Sequence, residues 1–88
     1  MKIDIYGIRD LKAEYFMQTM QDEHQADVER GFKEACLNPQ TKVGKNPTDY
    51  AIFKIATFDN NKGTFENITP SELIITGTDT TKESYSRS

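Results

Sequence analysis

The fifteen residues KNPTDYAIFKIATFD, Lys45 to Asp59, decide the fold. A proline and an acid stand at the entrance, and from Tyr50 to Phe58 the chain alternates with a period of two, the mark of a β-strand. Strict alternation puts Tyr50, Ile52, Lys54, Ala56 and Phe58 on one face and Ala51, Phe53, Ile55 and Thr57 on the other. Both faces are partly apolar, which predicts a central strand. Ala51, Phe53 and Ile55 are expected to form core. Tyr50 and Lys54 are expected on the open face, because a lysine in mid-strand must meet water or a partner.

On the C-terminal side, DNNKG supplies a turn in which Gly63 can take positive φ. GTFENI then returns antiparallel, Pro70 interrupts the pattern, and SELIITG offers a last short strand. Residues 77–88 are rich in serine and threonine, have no hydrophobic period, and read as a flexible tail. On the N-terminal side, KIDIYGI alternates, with Ile3 and Ile5 pointing one way and Lys2, Asp4 and Tyr6 the other. EYFMQTM is a second candidate strand whose apolar positions choose no face. Between it and the opening stretch lies the helix. Asp22 and Gln25 have capping-box spacing, and Ala26, Val28, Phe32, Ala35 and Cys36 make an apolar stripe. Asn38-Pro39 ends it. Gly31 costs this helix on the order of 1 kcal/mol relative to alanine, which predicts close packing against the sheet.

These elements make one α+β domain over residues 1–76: a small antiparallel sheet with one α-helix packed on one face, followed by the tail. A chain of 88 residues builds only a small core. One helix leaves the second sheet face uncovered, so a homodimer is expected. The hydrophobic content of 35%, the charged content of 28% and the mean hydropathy of −0.72 fit a soluble chain with a loose end. No apolar run approaches the roughly 20 residues of a membrane helix, and MKIDIYGIRD carries acids where a signal peptide is apolar. A cytoplasmic protein with no membrane partner is expected. The net charge of −3 is concentrated between Asp22 and Glu34, where five acids face two bases, so the rest of the chain is balanced. The total therefore does not exclude nucleic acid as a partner, although phosphate neutralisation needs local positive charge.

Catalytic groups are scarce. His24 is the only histidine and Cys36 the only cysteine, so no zinc-ligand spacing exists and no internal disulfide can form. Cys36 lies on the apolar stripe near the helix C-terminus, where a thiolate is disfavoured. Gly44 and Gly63 are isolated and belong to no phosphate-binding loop. Neither an enzyme nor a bound cofactor or metal is expected.

What remains is aromatics among bases. Tyr6, Tyr15 or Phe16, Tyr50 and Phe53 lie on strands near Lys2, Arg9, Lys12, Lys45 and Lys54. Stacking platforms beside basic grooves are how sequence-tolerant single-strand binders work. Phe53, Phe58 and Phe65 are expected in the core, since a small chain must bury such residues, while a tyrosine can keep its hydroxyl wet at a sheet edge.

The order of these features resembles the small nonstructural protein of gokushoviruses, the chlamydia-phage-like branch of the single-stranded DNA microviruses. The similar parts are KIDIYGIRD running into Asp10-x-Lys12-Ala13 and Tyr15, a helix carrying Phe32, and Asn46-Pro47-Thr48-Asp49-Tyr50-Ala51-Ile52-Phe53 followed by Phe58-Asp59 and Gly63. The likeness covers residues 2–70. It departs at Asn46, where the family commonly has histidine, and at Thr19-Met20, where a Pro-Phe pair is common. The resemblance implies a phage protein acting on the viral genome in the switch to single-stranded DNA synthesis and packaging. The expected site is the uncovered sheet face or a groove at a dimer junction, binding single-stranded DNA without base specificity. Tyr6, Tyr15 and Tyr50 would stack on bases, and Arg9, Lys12, Lys45 and Lys54 would meet phosphates. The alternative is an assembly protein that contacts the viral coat or replication protein through an apolar sheet face and touches no DNA.

Overall fold

The computed structural model describes residues 1–80. Four strands, β1 (Lys2–Asp10), β2 (Tyr15–Asp22), β3 (Tyr50–Asp59) and β4 (Thr64–Thr76), form one antiparallel sheet in the order β2-β1-β3-β4. The fold is α+β, and β3 is central as its two apolar faces require. Helix α1 (Gln25–Leu37) crosses from the end of β2 and packs on one face.

The hairpin turns follow from local chemistry. The Asp10 carboxylate accepts the backbone N–H groups of Lys12 and Ala13 at 3.0 and 2.9 Å, and that of Asp59 accepts those of Asn61 and Lys62. Aspartate mimics a backbone turn in this way. Gly63 takes φ +68°, as the DNNKG turn demands.

Three elements depart from the sequence reading. No capping box forms. The Asp22 carboxylate accepts the N–H of His24 at 2.9 Å, His24 becomes the N-cap, and the helix begins only at Gln25. The connection QTKVGKNPTD carries a short helix, α2 (Lys42–Lys45), and a 3-10 turn at Pro47–Asp49. The Thr41 hydroxyl caps α2 by accepting the N–H of Gly44 at 2.8 Å. Strand β4 runs through Pro70 instead of stopping there, with a register shift on its β3 pairing and a cis Thr69–Pro70 peptide. An edge strand tolerates this, because its outward N–H groups have no ladder partner to lose.

The tail also starts later than residue 77. Residues 77–80 are helical, and Thr80 is buried with its hydroxyl donating to the Thr76 carbonyl at 3.3 Å. The remainder of the expected tail, residues 81–88, lies outside the described residues.

The largest departure is in β3. Ile5 pairs with Ala56, but the next residue, Tyr6, pairs with Lys54, so Ile55 is an extra residue in the strand. Such a bulge breaks the alternation. Before it, Tyr50, Ile52 and Lys54 share a face with Tyr6; after it, Thr57 and Asp59 continue that face, while Ala56 and Phe58 move to the side of Ala51 and Phe53. Helix α1 packs on the Tyr6 side. The core is Tyr6, Ile52, Tyr50 and Ile75 from the sheet, Val28, Phe32 and Cys36 from α1, and Val43 from α2. The expected faces are therefore exchanged: Tyr50 is core, and Phe53 lies on the face that no helix covers.

Candidate functional site

The uncovered face is built by four strands that each contribute apolar side chains. Cross-strand partners share a face, so Ile3 and Phe58 sit with Phe65, Ile5 and Ala56 with Asn67, and Gly7 and Phe53 with Leu73. Gly7 leaves room there. A Cβ on it would come within 2.9 Å of the Phe16 ring, so the missing side chain lets that ring lie down on β1. Phe16 then meets Phe53 edge-on, with centroids 5.8 Å apart and planes at 83°, and the Arg9 guanidinium stands 5.1 Å over the Phe16 centroid. Both are favourable geometries for an aromatic quadrupole. A second pair, Phe58 and Phe65, has centroids 4.9 Å apart. Phe65 and Leu73 remain 66% and 53% exposed, well above what a small apolar core residue shows.

The charges separate by face. Among the described residues, Arg9 is the one charged side chain that the register places on the aromatic face. Asp4, Asp22, Asp59, Glu66 and Glu72 fall on the helix side, and α1 adds its own acids. A chain of net negative charge thus presents a surface with aromatic rings and a guanidinium to which no paired strand residue adds a carboxylate, although Glu23 lies near its Ile3 corner.

The residues expected to bind DNA divide among three places. Tyr6 and Tyr50 are buried, at 0% and 5% exposure, beneath α1 and α2, so neither ring can stack on a base in this fold; that expectation is corrected. Burial, reinforced by the neighbouring Asp4 carboxylate, pushes the Tyr6 phenol up to about 12. Its hydroxyl donates to Asp4 at 3.3 Å. Lys54 does not reach out to solvent as expected. Its ammonium lies 3.4 Å from the same carboxylate and 5.9 Å over the Tyr6 ring. Arg9 is on the aromatic face. Lys12, Tyr15 and Lys45 are exposed at one end of the sheet, where the Leu11 N–H donates to the Asp49 carbonyl at 2.8 Å and ties the first turn to the start of β3.

The residues that sequence reasoning undervalued are Phe16, Phe53, Phe58 and Phe65, all assigned to core or left undecided. The bulge at Ile55 hid the side of Phe58, and alternation alone does not say which sheet face the helix covers, which is what leaves Phe53 open. Cys36 is buried as its stripe position predicts; burial pushes its thiol up, and a hydrogen bond with Thr80 partly offsets this. Among the described residues no group of three or more histidine, cysteine or acidic side chains could hold a metal ion, and no helix is long and apolar enough to cross a membrane.

A family model described as phage ORF5 protein matches residues 3–80, and the chain belongs to that family. The phage origin implied by the resemblance is thereby established. No curated protein and no solved structure matches the chain.

Proposed function

We propose that this phage protein binds single-stranded DNA without base specificity on the uncovered face of its sheet. Its role would be nonstructural, in the switch of genome replication to single-stranded synthesis and packaging in the host cytoplasm. The observation that carries this reading is the union of aromatic rings with Arg9 on a face whose paired strand residues include no acid. Every base has a π-face, so aromatic platforms accept any sequence, at about 1–3 kcal/mol per stacked base. The acids on the opposite side steer a polyanion toward the aromatic side. Lys12 and Lys45, exposed at one end of the sheet, are further candidates for phosphate contacts.

The test is fluorescence anisotropy of a labelled oligothymidylate, repeated with a duplex, at low and raised salt. Preference for the single strand and weakening with salt support the reading. No binding at low salt sinks it.

A second reading is favoured by Phe65 and Leu73, whose exposure on the edge of this face also suits an apolar protein contact. On that reading the face meets a second copy or a viral coat or replication protein, and complex formation is insensitive to salt.

A further inference from the structure

The opposite side of the molecule carries a feature that DNA binding does not use. Between α1 and the edge strand β2 is a cleft of about 320 Å³, near the lower bound of small-ligand pockets. Its floor is apolar: Met20 from β2, Val28 and Phe32 from α1, and Ile52 from β3. Asp22 and Asp27 stand at its rim, and Gly31 lines it from the helix.

Gly31 is the unexplained residue. It occupies the interior of α1, where glycine is costly, and was expected to permit close packing. It permits none, because a Cβ built there meets nothing within 4 Å. What its bareness does is keep the cleft open. The neighbouring strand is equally unfinished: β2 pairs with β1 on one side only, so its outer edge offers unpaired backbone groups, the template for an added strand. A strand laid along that edge sends alternate side chains to the helix side, toward the cleft mouth.

Charge selects the occupant. Asp27 pairs with Arg30 at 2.6 Å, but Asp22 with Glu29 and Glu34 of α1, set against Lys33, leaves this side negative, which repels nucleic acid and attracts a basic chain. We propose that the α1–β2 cleft docks an extended, lysine- or arginine-bearing segment of a partner protein. The segment adds to the edge of β2 and seats one apolar side chain on Met20, Val28 and Phe32, while its basic residues meet the carboxylates of the rim. This goes beyond the DNA reading and does not depend on it; together they make the molecule a bridge, with DNA on one face and protein on the other.

The full chain, labelled with nitrogen-15, is titrated with a seven-residue peptide alternating lysine with leucine, and separately with one alternating glutamate with leucine. The lysine peptide is expected to give saturable amide shifts at Gly31 and along β2, leaving Phe53 and Phe65 unmoved. Gly31→Leu fills the cleft and is expected to weaken binding by about tenfold or more. If that variant does not fold, Asp22→Asn with Asp27→Asn carries the test, with severalfold weaker binding of the lysine peptide expected. The proposal is overturned by an absence of saturable shifts at Gly31, by equal binding of the glutamate peptide, or by unchanged affinity in the folded variants. Shifts along β2 that grow with protein concentration without peptide also overturn it, since a second copy then occupies the edge. Oligothymidylate added to a separate sample without peptide reports on the aromatic face, so the two readings fail separately.

Discussion

Lys54 is bound to Asp4 across the β1–β3 pair, ammonium to carboxylate at 3.4 Å, with the Tyr6 hydroxyl on the same oxygen at 3.3 Å. The side chains of Lys54 and Asp4 are 19% and 30% exposed, so the pair is shielded from water but not dry. A charge left without its partner in such a place costs more than the pair contributes. Asp4→Leu alone is therefore expected to destabilise more than Asp4→Leu with Lys54→Met, with a coupling of about 1 kcal/mol in a double-mutant cycle read by urea denaturation. Because Lys54 faces the helix side, Lys54→Met is expected to leave oligonucleotide affinity unchanged. An affinity loss in the folded variant would return Lys54 to the binding face.

Tyr6 gives the protein an alkaline limit. Its pKa rises from 10.0 to about 12 on folding, because burial and the Asp4 carboxylate both oppose the phenolate. A group whose pKa is raised in the folded state contributes stability that is complete below the unfolded value and is lost as pH climbs to the folded one. The window is pH 10 to 12. Melting temperature is expected to fall across it more steeply in the native chain than in Tyr6→Phe, which has no proton to lose there. At pH 7 the same variant loses one hydrogen bond, at a cost of about 1 kcal/mol. Parallel melting curves for the two proteins through the window would refute the account.

Two glycines are expected to respond to alanine in opposite directions. Gly31→Ala meets open space in a helix interior and is expected to stabilise by about 0.5–1 kcal/mol. Gly44→Ala drives a Cβ into the Asn38 carbonyl, where α2 folds back on the end of α1. Backbone on both sides leaves no flexible group to yield, so a loss of a few kcal/mol is expected. Denaturant midpoints for the pair decide the matter. A destabilising Gly31→Ala would mean that the cleft is narrower than the structure has it.

These contrasts also show what the sequence could carry. The strands of the sheet, the centrality of β3, the helix with its Val28-Phe32-Cys36 stripe and the Asp59–Gly63 turn were all legible, because each rests on local periodicity or on the chemistry of a single turn. The faces were not. Alternation is reliable only while no residue is inserted, and Ile55 looks like any other apolar strand residue until its partners on β1 are known. That insertion moves Ala56 and Phe58 to the side of Phe53, and the packing of α1 on the Tyr50 side leaves the Phe53 side uncovered, so a site read from alternation took tyrosines where the fold presents phenylalanines. Arg9 was legible only as a base near aromatics; the alternation of β1 puts it with Ile3 and Ile5, opposite the Tyr6 with which the expected site groups it.

Phe65 is the residue on which the DNA reading is most cleanly tested. It is 66% exposed on an edge strand, so its replacement removes little packing, unlike Phe53, which is half-buried beside Phe16. Phe65→Ala is expected to fold with nearly native stability and to weaken oligothymidylate binding by about 1 kcal/mol or more, the cost of one lost stacking partner. The slope of affinity against salt should stay as it was, because no cation has been removed. Arg9→Ala makes the complementary change. It is expected to weaken binding and to reduce the salt slope by about one, because one phosphate contact is gone. Anisotropy titrations of both variants across a salt series separate the two contributions. If both bind as the native chain does, DNA does not use this face, and a protein partner becomes its natural occupant.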